Sequence, residues 1–233
     1  MVIISSVGGS GSSFVAEQFQ RHAWRVCLRP DGGGQKATHT EQQIFLERTR
    51  PFYSSWADES ASLEQMFKQA YVKLSGKNES NLMLLCMTWG GLGLLNLVKE
   101  KPIFLVRDPI FAFNSYSGGG WRSGAESGGT RRIRYVEASG PNDKKWIDLW
   151  LGNFAYWIDT TNNAIRSIQE NKGYIVRYHN FKEDWSKIPN VPPIHEEFSS
   201  KDDLKKLEGF LTQDTIDYIR EKTDDIWNTV CEI

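Results

Sequence analysis

Val2-Ile3-Ile4-Ser5-Ser6-Val7 runs directly into Gly8-Gly9-Ser10-Gly11-Ser12-Ser13, and a helix is expected from Phe14 to about His22. An apolar run of strand length, a Gly/Ser turn and a helix together form the opening of a βα unit. Glycines let such a turn curl until successive N–H groups point into one concavity. The helix N-terminus adds unpaired donors and a partial positive charge. Ser10, Ser12 and Ser13 contribute hydroxyl donors. The stretch therefore predicts a phosphate cradle at the carboxyl end of the first strand. The plainer alternative is a tight βα turn.

Working outward, strand-like runs recur at Trp24 to Leu28, Leu82 to Met87, Pro102 to Val106 and Gly173 to Tyr178. Helical patterns lie between them. One covers about Ser60 to Leu74, where Leu63, Phe67, Ala70, Tyr71 and Leu74 recur at helical spacing. Another opens at Asp108-Pro109 and runs to about Tyr116, with Asp as N-cap and Pro at the first helical position. A long helix is expected from Lys145 to Glu170, and two C-terminal ones near Asp202 to Phe210 and Gln213 to Val230. Alternation of strand and helix predicts an α/β fold: a three-layer α/β/α domain spanning 1–233 around a central, mostly parallel sheet. The polar, Gly-rich segment 117–143 is long for a connection and is expected to order over a ligand.

The net charge of −1 gives no global basic field, so no nucleic acid partner is expected, and an anion site must be built locally. Three cysteines, Cys27, Cys86 and Cys231, form neither a disulfide framework nor a zinc pattern. A reducing, cytoplasmic setting is expected. Neither a leader peptide nor an apolar run long enough to span a membrane is read. Nine tryptophans supply core, a stacking surface, or both.

A second motif lies in Pro102-Ile103-Phe104-Leu105-Val106-Arg107-Asp108-Pro109-Ile110-Phe111-Ala112-Phe113-Asn114-Ser115-Tyr116. Arg107 stands at a strand end, over the same sheet edge as the Gly/Ser loop. Its guanidinium can grip a phosphate through two parallel bonds. Ser115 lies about two turns into the next helix, so a phosphate between them would be held from two elements. The plainer reading pairs Arg107 with Asp108 as a structural corner. A nucleotide kinase would need G-x-x-x-x-G-K-[ST] in the first loop. Here Gly8 is followed five residues later by Ser13 and then Phe14, without the lysine.

These motifs together resemble the sulfotransferase superfamily that uses 3′-phosphoadenosine 5′-phosphosulfate (PAPS). That family, of P-loop nucleotide-hydrolase-like architecture, has a Pro-Lys/Arg-Ser-Gly-Thr-Thr-like loop for the 5′-phosphosulfate. It also has an Arg-Asp/Asn-Pro run with a serine eight positions after the arginine, for the 3′-phosphate. Gly9-Ser10-Gly11-Ser12-Ser13 lies over the first pattern, and Arg107-Asp108-Pro109 with Ser115 matches the second, spacing included. Tyr174-Ile175-Val176-Arg177-Tyr178 is similar to the family strand whose closing tyrosine lies near the adenine, a place taken by Tyr178. The resemblance spans about residues 2–181 and implies PAPS as donor, no metal, and an acceptor that is a carbohydrate or small molecule.

The chain departs from that pattern at several places. Gly9 occupies the position of the loop cation. Lys36, Arg29 or an arginine of the 117–143 segment is a candidate replacement. Trp89 stands where cytosolic members carry a histidine, and Arg131, Arg132 and Arg134 are candidates for the missing C-terminal anion clamp. For the general base, Glu41 and His39 rank above Asp31. Trp89, Trp121, Trp146, Trp150 and Trp157 are candidates to line the acceptor site, although the last three recur at helical spacing as core residues do. Two other readings stay open: a P-loop kinase-like phosphotransferase, and a non-catalytic nucleotide-binding protein on the same fold.

Overall fold

The structure is a computed structural model and describes residues 1–7, 9–27, 71–72, 75–76, 81–87, 98–123, 138–152, 157–194, 202, 207 and 210–233, the side chains of 13, 27, 85–87 and 118–123 excepted. Five strands, β1 (Val2–Ser6), β2 (Arg25–Cys27), β3 (Leu82–Met87), β4 (Ile103–Val106) and β5 (Tyr174–Arg177), form one sheet in the order β2-β3-β1-β4-β5. Every pairing is parallel. Strands covered on both faces need apolar side chains in both directions, which is why they read as continuous apolar runs rather than alternating ones.

Side chains alternate across the sheet as the pleat requires. Ile3, Leu82, Leu84, Phe104 and Val106 point to one face, where they meet Ile110, Phe113, Trp146, Trp150, Trp157 and Ile219. These come from α2 (Pro109–Ser123), α3 (Lys144–Leu151), α4 (Trp157–Gln169) and α6 (Gln213–Glu232). Ile4, Met83, Ile103, Leu105 and Val176 point to the other face. There they pack on Val15 and Phe19 of α1 (Ser12–Arg21) and on Phe181 and Trp185 of α5 (Phe181–Ser186). The result is an α/β fold with a central parallel sheet and flanking helices, consistent with a Rossmann- or P-loop-like fold.

Several elements differ from the sequence expectation. The helix after Asp108-Pro109 continues to Ser123, through three consecutive glycines, rather than stopping at Tyr116. Tertiary anchoring supports this extension: Ser117 is buried, and its Oγ accepts a 3.0 Å hydrogen bond from Trp146 Nε1. That bond, worth about 1 kcal/mol, fixes the helix at the residue before the glycines, each of which costs about 1 kcal/mol in a helix. The expected long helix is two helices, with Gly152 ending α3 and Trp157 opening α4. Tyr178 lies just beyond β5, in a short 3₁₀ turn (Tyr178–Asn180). Among the described residues, no helix is long and apolar enough to cross a membrane.

Candidate functional site

The site is built at the carboxyl edge of β1, β4 and β5. In the order β2-β3-β1-β4-β5 the chain fills one side of β1 before crossing to the other. Open α/β sheets bind ligands outside the strand ends at such a reversal. The loop after β1 turns on two left-handed residues, Gly9 at φ 88° and Gly11 at φ 89°. Gly11 caps α1, and its carbonyl accepts from the Val15 N–H at 3.1 Å.

Close approach also demands glycine at position 9 and leaves little space at position 11. A Cβ on Gly9 would lie 2.5 Å from the Ala112 carbonyl oxygen and 3.2 Å from Ser115 Cβ, both on one face of α2. A Cβ on Gly11 would lie 3.3 Å from Tyr178 Cε2. The loop is thus held between α2 and the Tyr178 ring. Any side chain at position 9 would clash with the α2 backbone.

Arg107 ties these parts together. Its Nη1 donates to the Gly9 carbonyl at 2.6 Å, and its guanidinium carbon lies 4.0 Å from the centre of the Tyr178 ring. The Trp157 indole donates to the Arg107 carbonyl at 3.1 Å, anchoring the strand end from the opposite helix layer. Arg107 does not pair with Asp108. Asp108 caps α2 instead, its Oδ1 accepting from the Ile110 N–H at 2.9 Å, while its Oδ2 accepts from Arg220 at 2.8 Å. The partner of Arg107 is Asp202: Nε donates to Asp202 Oδ1 at 2.9 Å, and Nη2 reaches the same oxygen. Sequence reasoning missed Asp202, because 95 positions separate it from Arg107 and it stands within a run of charges that reads as a solvated face.

The structure therefore brings Gly9, Ser10, Gly11, Arg107, Ser115 and Tyr178 to one place. Ser115 is exposed at the rim beside Gly9, and Ser12 is buried at the start of α1. The side chain of Ser13 lies outside the described residues, as do Asp31, His39, Glu41, Lys36, Arg29, Trp89 and the three arginines of the 117–143 segment. Trp146, Trp150 and Trp157 are 1%, 1% and 0% exposed. They form core and do not offer stacking faces to an acceptor.

One observation bears on an oxygen-bearing ligand at this loop. Ser10 Oγ is fully buried and has no hydrogen-bond partner among the described residues. A buried hydroxyl without a partner costs about 1–3 kcal/mol, and a ligand oxygen would remove that cost. Among the described residues, no cluster of three or more His, Cys, Asp or Glu is placed to hold a metal ion.

No protein-family model, no curated protein and no solved structure matches the chain.

Proposed function

We propose that the chain is a PAPS-dependent sulfotransferase, moving a sulfuryl group to an acceptor hydroxyl of a carbohydrate or small molecule. The observation that carries the reading is the convergence of Gly9, Arg107, Ser115 and Tyr178, drawn from three separate chain segments, at one sheet edge. In this reading the backbone from Gly9 to Ser13 receives the 5′-phosphosulfate, Arg107 and Ser115 receive the 3′-phosphate, and Tyr178 flanks the adenine. Sulfuryl transfer, like phosphoryl transfer, depends mainly on in-line positioning and on stabilising spreading charge. Backbone N–H groups at a helix N-terminus supply fixed partial charge for both purposes. A general base from Glu41, His39 or Asp31 would accept the acceptor proton.

The deciding experiment is thermal unfolding with adenosine 3′,5′-bisphosphate, with ATP plus magnesium in parallel. A ligand at a hundred times its Kd adds about 2.7 kcal/mol. For a chain of this size that raises Tm by roughly 5–10 °C. A rise with the bisphosphate that is lost in Arg107→Ala supports the donor site. A rise with ATP alone favours a kinase-like phosphotransferase, and no rise with either removes the nucleotide reading. The docked Gly9 favours one second reading, a nucleotide-binding protein without transferase activity. Bisphosphate binding with no sulfuryl transfer across an acceptor panel would select it.

A further inference from the structure

We propose that Asp202 is an internal competitor for the anion site: its carboxylate seats on Arg107 where a ligand phosphate oxygen would, and ligand binding exchanges one for the other. This rests on the donor-site reading above. The exchange follows from how Arg107 is used. One edge of the guanidinium, Nε and Nη2, converges on the single oxygen Asp202 Oδ1. The same two donors are the ones an arginine edge offers to a phosphate. Nη1 is spent on the Gly9 carbonyl and one face is covered by Tyr178. With the carboxylate in place, the Arg107 side chain is only 7% exposed. Little of it is left for a ligand to touch.

Charge leads to the same conclusion. One arginine and one carboxylate sum to zero, so the occupied pair offers a phosphate dianion little attraction. Keeping Asp202 there alongside a dianion would put like charges together in a poorly solvated place. A ligand phosphate gains the full Arg107 charge only by taking the oxygen's seat. Asp202 would thereby set how much anion is needed to fill the site and would screen out weaker anions.

The test is isothermal titration of wild type and Asp202→Asn with two probes, adenosine 3′,5′-bisphosphate and adenosine 5′-monophosphate. The second lacks the phosphate assigned to Arg107. Exchange predicts that Asp202→Asn tightens the bisphosphate about tenfold, or about 1.4 kcal/mol, and changes the monophosphate by less than twofold. Binding of the bisphosphate to the variant alone is the same result in stronger form. Equal tightening of both probes would make Asp202 a diffuse charge effect and overturn the exchange. Unchanged or weaker bisphosphate binding would make Asp202 a positioning partner that holds the guanidinium for a ligand on another edge, again overturning it while leaving the donor site intact. If neither probe binds either protein, the donor reading fails and the exchange fails with it. Asp202→Ser repeats the measurement should Asp202→Asn not fold.

Discussion

Two buried arginine–aspartate pairs lie near the same sheet edge, and they are built in opposite ways. Arg177, at the end of β5, and Asp184, in α5, are seven residues apart. Asp184 is saturated: Oδ2 accepts from the Arg177 backbone N–H and Nε at 2.9 and 2.8 Å, and Oδ1 from Arg177 Nη2 and Asn180 Nδ2 at 2.7 and 3.2 Å. Burial pushes its pKa up, but the hydrogen bonds and charge of Arg177 outweigh burial and hold the carboxyl below its ordinary value. Arg107 and Asp202 are 95 residues apart, and both of their bonds fall on one carboxylate oxygen. A saturated, local, two-oxygen pair is a structural lock that ties a strand to the following helix. The Arg107–Asp202 pair joins segments far apart in the chain through one carboxylate oxygen, beside the Gly9 loop, and so does not tie a strand to the helix that follows it.

The largest expected effect comes from making the same change in both pairs. Asp184→Asn turns a donor amide toward a ring of donors and leaves Arg177 poorly matched, so it should cost about 3 kcal/mol. The corresponding fall in Tm is roughly 6–12 °C. Asp202→Asn takes a charge away from a guanidinium that is also buried, but it keeps the single acceptor oxygen that Arg107 uses, so it should cost less, about 1–2 kcal/mol. Urea unfolding of the two variants checks this, and equal losses would erase the distinction between the pairs. Gly9→Ala comes next. It forces a side chain into left-handed backbone against the Ala112 carbonyl and should destabilise by about 1–3 kcal/mol. The loss should appear with the Arg177–Asp184 pair untouched, which circular dichroism melts of Gly9→Ala and Gly9→Ala/Asp184→Asn would show as additive.

The Asp184 lock also predicts a pH signature. Its folded pKa lies below the unfolded value, about 3.9 for aspartate. The unfolded chain therefore binds the extra proton first. The pair's contribution is fully present above about pH 4 and is lost as pH falls through the depressed folded value. Acid titration of stability should show a shallower loss below about pH 4 in Asp184→Asn than in wild type. The smallest effect is expected from Asn180→Ala, which removes one of several donors to Asp184 and should cost about 0.5–1 kcal/mol. A larger loss in the same urea series would mean that Asn180 carries the lock with Arg177.

Much of the fold was legible because its signals are local. A buried parallel strand must be apolar in every direction, so Leu82–Met87 and Ile103–Val106 announce themselves. Asp108-Pro109 opens α2 as its capping chemistry requires, and Gly9 and Gly11 take left-handed backbone in a loop read as a turn. The spacing from Arg107 to Ser115 was also legible, because about two helical turns separate them. What stayed hidden depends on chain segments far apart in sequence. The glycine-rich part of α2 reads as loop on propensity but continues the helix beyond Ser117, the residue that Trp146 holds. Trp146, Trp150 and Trp157 read equally as core or as stacking surface, and only packing made them core.

By itself, then, the sequence determined the parallel α/β sheet, the Gly/Ser loop at its central strand and the placement of an arginine over the same edge. These follow from side-chain periodicity and from the φ preferences of a few residues, which act over a handful of positions. Only the tertiary structure decided that Gly9 docks too closely on α2 to carry a side chain, that Tyr178 covers Arg107, and that the partner of Arg107 is Asp202 rather than its neighbour Asp108. The physical reason is distance along the chain: which charge meets which is decided when separate segments pack together, and no local pattern encodes that meeting.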